Sequence, residues 1–237
     1  MSETNTDTKH KIISNLLGSL FWLFLLLIVI LKFLVFQNVT VVGKSMMPNY
    51  EDGQLLLVNQ ISKNFKRGDV VAVYQDFEAA KTADYLTRFK TTFFLKRVIA
   101  MPGEYIEIIG GDVIIYNSDH IDGSVLVEDY IPLDTKKTED IRKFYFPKTK
   151  IADDSYFVMG DNRSNSTDSR VSSLGPIKNY AMFGKEFIRF WPIAETELFS
   201  DPVYEFNAIS NEIKTKKDGF IKANEDSQSL QLFRRNN

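Results

Sequence analysis

The feature that most constrains this chain is a long apolar run near its N-terminus. Residues 16–31 read LLGSLFWLFLLLIVIL without a charge, and after Lys32 the apolar character continues to Phe36. A helix over residues 16–36 is about 31 Å long at ~1.5 Å per residue, which matches the hydrocarbon core of a bilayer at roughly 30 Å. The run is apolar on all sides, unlike the striped helix of a soluble core. The sequence therefore predicts a membrane-spanning helix.

A cleavable secretory signal is the main alternative to a permanent anchor. Such a signal usually has an apolar stretch of about 7–15 residues, followed by a small-x-small cleavage site. Here the stretch is longer, no alanine occurs before Ala72, and the small-x-small pattern GKS at residues 43–45 lies well beyond the run. We therefore predict a permanent single-pass anchor over residues 13–36.

The charges beside the run predict its orientation in the membrane. Lys9 and Lys11 precede the apolar residues, and positive charges are enriched on the cytoplasmic side of membrane spans. Residues 1–12 are therefore predicted to be cytoplasmic and residues 37–206 extracytoplasmic. The chain is expected in the cell membrane, with the lipid bilayer as a partner.

Composition excludes several classes of function. The 29 Lys and Arg are balanced by 31 Asp and Glu, so the chain lacks the basic excess of a nucleic-acid-binding protein. The absence of cysteine excludes disulfides, iron–sulfur clusters and cysteine nucleophiles. The chain has two histidines, and His120 lies in a polar segment where we interpret it as a surface residue. We predict no metal, no cofactor and no nucleic-acid partner.

Beyond the anchor, apolar residues occur in short alternating runs separated by Gly and Pro, a pattern typical of β-strands. The predicted strands are residues 39–42, 54–59, 69–74, 93–100, 105–109, 112–116, 155–159 and 186–191. The sequence therefore predicts a mainly β fold class: one domain of coiled or barrel-like antiparallel sheets behind a single transmembrane helix. Two polar stretches are expected to lie outside this core, an excursion over about residues 117–150 and a loose tail over residues 207–237.

The first of three motifs is VVGKSMMP at residues 41–48. A strand runs into Gly43, so Ser45 lies at a strand end where its hydroxyl can be exposed. An ordinary strand-to-turn exit has the same composition. The motif also lacks the lysine of an S-x-x-K site.

The second motif is FFLKRVIAMPG at residues 93–103. Alternation places Phe94, Lys96 and Val98 on one face of the strand. An amine on an apolar face loses hydration, so its pKa falls and the neutral form becomes available. An edge strand protected from aggregation by its lysine is the alternative.

The third motif is MGDNRSNSTDSR at residues 159–170. A calcium loop that starts at Asp161 needs Gly at position six and Glu at position twelve. These positions are Ser166 and Ser172, which excludes that type of calcium loop. A solvated loop remains the alternative.

Together the motifs resemble bacterial type I signal peptidase, also called leader peptidase. GKSMMP, KRVIAMPGE, GDNRSNSTDSR and GKEFIRFWP occur in the family's order behind an N-terminal anchor. The resemblance implies a membrane-anchored serine endopeptidase that removes N-terminal signal peptides from exported preproteins after a small-x-small site. A self-cleaving repressor-type protease is a second hypothesis, but the anchor occupies the place of its DNA-binding domain. A non-catalytic relative is a third, but such relatives lack the lysine that is present here.

The resemblance also implies catalytic roles. Ser45 is the expected nucleophile, with its backbone N–H in the oxyanion hole, and neutral Lys96 is the expected general base. Ser166 is expected to hydrogen-bond Lys96 and orient it. Some family members carry a serine where this chain has Gly43, so a second oxyanion donor is not identified.

Other residues are implied in support of the site or in substrate binding. Asp161 and the pair of Asp168 and Arg170 are expected to support the catalytic residues. Shallow pockets for the small substrate residues at positions −1 and −3 are expected near Val41, Val42 and Met46.

Overall fold

The computed structural model describes residues 3–82, 92–131, 145–198 and 204–235. The helices are α1 (Glu3–Val35), α2 (Phe77–Thr82) and α3 (Asn211–Arg235). The strands are β1 (Phe36–Thr40), β2 (Leu55–Asn59), β3 (Val70–Tyr74), β4 (Phe93–Ala100), β5 (Tyr105–Ile109), β6 (Asp112–Tyr116), β7 (Ser124–Leu126), β8 (Tyr145–Lys150), β9 (Ser155–Met159), β10 (Ile177–Lys178), β11 (Met182–Trp191), β12 (Glu197–Leu198) and β13 (Phe206–Ala208).

Helix α1 contains the predicted apolar anchor. Over His10–Val35 it is long and apolar enough to cross a membrane, with a hydropathy of 2.6, and none of this window is buried against the rest of the chain. Large side chains such as Trp22, which is 67% exposed, project from it. An apolar surface of this extent is stable in lipid and not in water. The predicted N-terminal apolar helix is confirmed as a candidate membrane span.

The helix continues directly into the first sheet. Val35 ends α1 and Phe36 begins β1. The last carbonyls of a helix lack partners within it, and Gln60 satisfies three of them. Its side-chain amide donates to Phe33 O at 3.3 Å and Leu34 O at 2.9 Å, and its backbone N–H donates to Val35 O at 3.0 Å. This cap fixes the end of the helix on the β domain.

The described strands form two open antiparallel sheets. The larger sheet has the order β1-β2-β11-β3-β4-β9-β10, with β12 on β11, and the smaller sheet has the order β13-β7-β6-β5-β8. The mainly β class is confirmed. Because each order begins and ends on a different strand, neither sheet closes into a barrel.

The eight predicted strands are all present. Those at residues 93–100, 105–109, 112–116 and 155–159 have the predicted bounds. The first strand is shifted: β1 spans Phe36–Thr40 and ends before the predicted residues 41–42. Strand formation therefore begins at the end of the membrane helix.

Strand β4 lies inside the larger sheet, between β3 and β9. Its residues alternate between two buried clusters: Leu95 packs in one, and Val98 with Phe94 packs in the other. Lys96 shares the second face, as the alternation predicts. The interior position of β4 excludes the edge-strand explanation for this lysine.

Described parts of both polar stretches belong to the fold. Within residues 117–150, β7 and β8 belong to the smaller sheet, and residues 132–144 lie outside the described residues. The predicted loose tail is wrong, since β13 extends the smaller sheet and α3 packs on it through buried Ile213 and the Phe220 ring. These two apolar residues lie two helical turns apart, a sparse stripe that a polar composition conceals.

Candidate active site

Ser45 lies in the turn that follows β1. The chain enters this turn through Gly43, whose φ of +81° lies in the left-handed region that glycine adopts without strain. The Gly43 N–H donates to Asp52 Oδ1 at 2.7 Å. Ser45 is half-buried.

The side chain of Lys96 reaches the same point from β4. Lys96 is 2% exposed, and its Nζ lies 2.9 Å from Ser45 Oγ. Nζ also donates to Leu95 O at 2.8 Å and lies 5.4 Å from the centre of the Phe94 ring. The structure thus brings together a hydroxyl and an amine that are 51 residues apart in the chain.

Burial lowers the pKa of the Lys96 amine to about 8. The negative charges of Asp168 and Asp161 act in the opposite direction, and Arg170 adds to the lowering. With such a pKa, roughly one amine in ten is neutral at pH 7, far more than for an ordinary lysine with a pKa of about 10.4. The site therefore holds an amine that can accept a proton near neutral pH.

Asp161 is neutralised by a residue that the sequence analysis did not assign to the site. Arg97 Nε donates to Asp161 Oδ1 at 2.8 Å and Nη2 donates to Oδ2 at 2.6 Å. Asn49 Nδ2 also donates to Oδ2 at 2.9 Å. Burial alone would lower the pKa of Arg97, but the Asp161 charge raises it well above its ordinary value. The Arg97 guanidinium therefore stays charged beside Asp161.

Asp168 and Arg170 form the second buried ion pair, as the family resemblance implies. Arg170 Nε and Nη2 donate to the two Asp168 oxygens at 2.8 Å each, and the Gly160 N–H donates at 3.0 Å. Burial alone would raise the pKa of Asp168, but these hydrogen bonds hold it below its ordinary value. Two charged pairs thus lie close to the amine without leaving an unpaired carboxylate.

The third motif also holds the turn that carries Ser45. The Asn162 backbone N–H donates to Ser45 O and its side-chain amide donates to Lys44 O, each at 3.0 Å. Gly160 packs so closely that an added Cβ would lie 2.3 Å from Ser45 O and 2.3 Å from Ser166 Oγ. A glycine is needed here for space, not for its backbone angles.

Ser166 is buried in the site but does not make the expected contact. Its Oγ is enclosed and forms no hydrogen bond to Lys96. The Lys96 amine is oriented instead by Ser45 and by Leu95 O. The expectation that Ser166 bonds to Lys96 is therefore wrong for this structure.

The three expected pocket residues differ in exposure. Val42 is 69% exposed, whereas Val41 and Met46 are 2% and 1% exposed. The backbone groups of Val41 are used within the domain, since its N–H donates to Gln54 O and its carbonyl accepts from Gly53 N–H. Val42 is thus the expected pocket residue whose side chain lies on the surface.

A buried ion pair links the third motif to the predicted excursion. Arg163 is 2% exposed, and its Nη1 donates to Glu128 Oε2 at 2.8 Å while Nη2 bonds Oε1. Arg163 Nε donates to Gly160 O at 3.2 Å. The polar composition around Glu128 gave no signal for this contact.

Replacing Arg163 by methionine will lower the free energy of unfolding by about 3–5 kcal/mol, because Glu128 is left as an unpaired buried charge. Denaturant unfolding of the full-length chain measures the change. The double substitution Glu128→Leu with Arg163→Met removes both charges and should restore most of the loss. A single variant as stable as the wild type would contradict the role of this pair.

Tyr50 and Glu186 connect the turn that carries Ser45 to β11. Tyr50 Oη donates to a Glu186 oxygen inside the domain. Burial raises the pKa of Glu186 to about 7. The turn is therefore held by contacts from β11 as well as from the third motif. In the sequence, Glu186 is the one acidic residue of β11, and this is the signal that could have indicated its role.

Comparisons with known proteins identify a family for this chain. The family described as "Signal peptidase, peptidase S26" matches residues 14–191. A signal peptidase I of Bacillus caldolyticus is 34% identical over 177 residues, covering 70% of this chain and 85% of the relative. Signal peptidase I T of Bacillus subtilis (strain 168) is 31% identical over 201 residues, covering 81% of this chain and 94% of the relative. The chain aligns with a crystal structure of a signal peptidase I from Enterococcus faecalis V583 at 23% identity and a TM-score of 0.35, covering 52% of this chain and 96% of that one.

The class that these findings define is a peptidase with an N-terminal apolar helix and a mainly β domain. The family match covers most of the chain and includes all three motifs. The chain belongs to the signal peptidase family, peptidase S26.

Proposed function

We propose that this chain is a membrane-anchored serine endopeptidase that removes signal peptides from exported preproteins, with Ser45 as nucleophile and Lys96 as general base. The observation that carries the proposal is the 2.9 Å contact between a buried amine and Ser45 Oγ. Family membership supports the substrate class. The lowered pKa of Lys96, about 8, supports its role as a base.

The proposed reaction has two steps. Neutral Lys96 accepts the Ser45 hydroxyl proton as Oγ bonds to the carbonyl carbon of the scissile peptide, and the protonated amine then gives that proton to the leaving nitrogen. The leaving group is the mature protein, and the signal peptide remains as an ester on Ser45. Water, deprotonated by Lys96, hydrolyses this ester and restores both side chains.

Other residues of the site position the reacting groups. The ion pairs of Asp161 with Arg97 and of Asp168 with Arg170 fix the walls around the amine. The Ser45 N–H is the proposed oxyanion donor. The Gly43 N–H is used by Asp52, so Gly43 does not supply the second donor.

We propose that the apolar helix holds this chemistry near the bilayer. Fewer than ten residues separate the end of α1 from Ser45, and the Gln60 cap fixes this junction. We propose that residues 1–12 lie in the cytoplasm and that the β domain lies outside, close to the membrane surface. A preprotein held by its own apolar segment then meets the site at a raised effective concentration.

The proposed substrate preference is tested by varying the residue at position −1 of a precursor. Precursors with Ala at −1 and −3 will be cleaved after the −1 residue, and Phe or Leu at −1 will block cleavage, because the pockets proposed near Val41, Val42 and Met46 are expected to be shallow. Sequencing the N-terminus of the product locates the cut. Ser45→Ala is the control for contaminating proteases. Equal rates with Phe and Ala at −1 would contradict the proposal.

A further inference from the structure

A segment beyond the family match contributes to the fold of the catalytic domain. The match ends at residue 191, and the described residues after it include β12, β13 and α3. Strand β13 pairs with β7, with Phe206 opposite Leu126, and the Val127 N–H donates to Glu205 O at 3.0 Å. This C-terminal segment therefore lies along the stretch that leads to Glu128.

Tyr204, just before β13, packs against Tyr130. The two rings are perpendicular, with centres 6.0 Å apart. Tyr130 is in turn part of the site's surroundings. The Arg97 guanidinium lies 4.4 Å from the centre of the Tyr130 ring. The Tyr130 carbonyl accepts from Asn49 Nδ2 at 3.1 Å, and the Tyr130 hydroxyl donates to Glu128 Oε1 at 2.8 Å.

These contacts lead directly to the reacting groups. Arg97 and Asn49 both donate to Asp161, whose charge acts on the Lys96 amine. Asn49 also belongs to the turn that carries Ser45. By holding Tyr130 in place, the Tyr204 ring thus supports both the charge balance around Lys96 and the turn that carries Ser45.

The segment that carries Tyr204 is fixed by contacts outside the site. The Phe206 and His120 rings lie tilted against each other with centres 4.3 Å apart, and the Arg67 guanidinium lies 5.6 Å from the Phe206 ring centre. In α3, Lys217 pairs with Glu107 at 2.8 Å. Tyr204 is therefore presented to Tyr130 from an anchored strand.

We propose that Tyr204 is a positioning residue, through which the C-terminal segment holds Tyr130 against Arg97 and so keeps Asp161 paired with Arg97 and Lys96 aligned with Ser45. The inference rests on the proposed roles of Ser45 and Lys96. Without the ring, Tyr130 and Arg97 gain freedom and Arg97 neutralises Asp161 less completely. The Asp161 charge favours the protonated amine, which raises the pKa of Lys96 and leaves less base at neutral pH.

The experiment compares three variants of the full-length chain by the pH dependence of precursor cleavage. Tyr204→Ala should lower kcat by about tenfold at pH 7 with little change in KM, and should move the rising limb of the pH profile to higher pH. Tyr204→Phe keeps the ring and should behave as the wild type. Phe220→Ala is the matched control, because its ring stacks on Tyr145 at 5.6 Å within the same C-terminal segment but away from Tyr130.

Phe220→Ala should lower stability and leave both kcat and the position of the limb unchanged in the folded enzyme. A loss of folded protein alone reduces the amplitude of a pH profile without moving it, so the limb separates positioning from stability. The proposal is overturned if folded Tyr204→Ala keeps the wild-type kcat and limb, if Tyr204→Phe is equally impaired, or if Phe220→Ala shifts the limb as far. If the cleavage rate of the wild type did not rise with pH, both this inference and the Ser45–Lys96 mechanism would be overturned.

Discussion

Replacing Lys96 by arginine will reduce the rate of precursor cleavage by about four orders of magnitude or more, as the loss of a catalytic base does in other serine peptidases. A guanidinium remains protonated at any workable pH and cannot accept the Ser45 proton. Lys96→Met should be equally inactive. Both losses are measured as kcat/KM on a precursor with Ala at −1 and −3.

The same lysine predicts the pH dependence of the wild-type enzyme. Because burial lowers the pKa of Lys96 to about 8, the rate should rise with pH through that value as the neutral amine accumulates. Between this pKa and the ordinary lysine value, the unfolded chain binds more protons than the folded one, so stability should also rise with pH. Lys96→Met should remove that contribution. Precursor cleavage and thermal unfolding between pH 6 and 10 measure the two effects.

A matched substitution at another lysine tests whether the effect of replacing lysine by arginine is specific to Lys96. Lys178→Arg changes a lysine whose side chain is 46% exposed and paired with Asp154, and it should leave the rate unchanged. An active Lys96→Arg enzyme, or a wild-type rate that stays constant across the pKa of Lys96, would exclude the proposed mechanism.

The sequence predicts most of the strands of the catalytic domain because alternation reports burial directly. In β4, the apolar neighbours of Lys96 place its side chain on a buried face, and the structure has the predicted bounds. The ends of elements next to the membrane helix are less predictable. Strand β1 begins at Phe36 because Gln60 and β2 complete the junction, and these contacts arise from residues distant in sequence.

The partners of the charged residues could not be predicted from local patterns. Alternation places Arg97 on the face of β4 opposite to that of Lys96. No residue near Arg97 in the sequence indicates that its partner is Asp161, 64 residues away. The polar residues around Glu128 indicate solvent exposure, although its carboxylate neutralises buried Arg163. The local sequence around a charged residue is the same whether the residue forms a buried ion pair or is exposed to solvent, so only the tertiary fold distinguishes the two cases.

Replacing Gly160 by alanine will reduce kcat/KM by about a hundredfold or more, since a displacement of about 1 Å at reacting groups has an effect of this size. The new Cβ would lie 2.3 Å from Ser45 O and 2.3 Å from Ser166 Oγ. The Ser45 carbonyl is backbone and also accepts from the Asn162 N–H at 3.0 Å, so the turn must move to relieve the contact. Steady-state cleavage kinetics measure the loss, and circular dichroism checks that the variant is folded.

Gly184 in β11 provides a control with the same steric conflict at another place. A Cβ at Gly184 would lie 2.3 Å from Asn59 O, within the pairing of β11 with β2 and away from Ser45. Gly184→Ala should therefore lower stability while the folded fraction keeps the wild-type kcat/KM. If Gly160→Ala cleaves at the wild-type rate, the close approach of the third motif does not fix the nucleophile. If Gly184→Ala loses as much kcat/KM per folded molecule, the effect of Gly160→Ala comes from general strain in the larger sheet and not from displacement of Ser45.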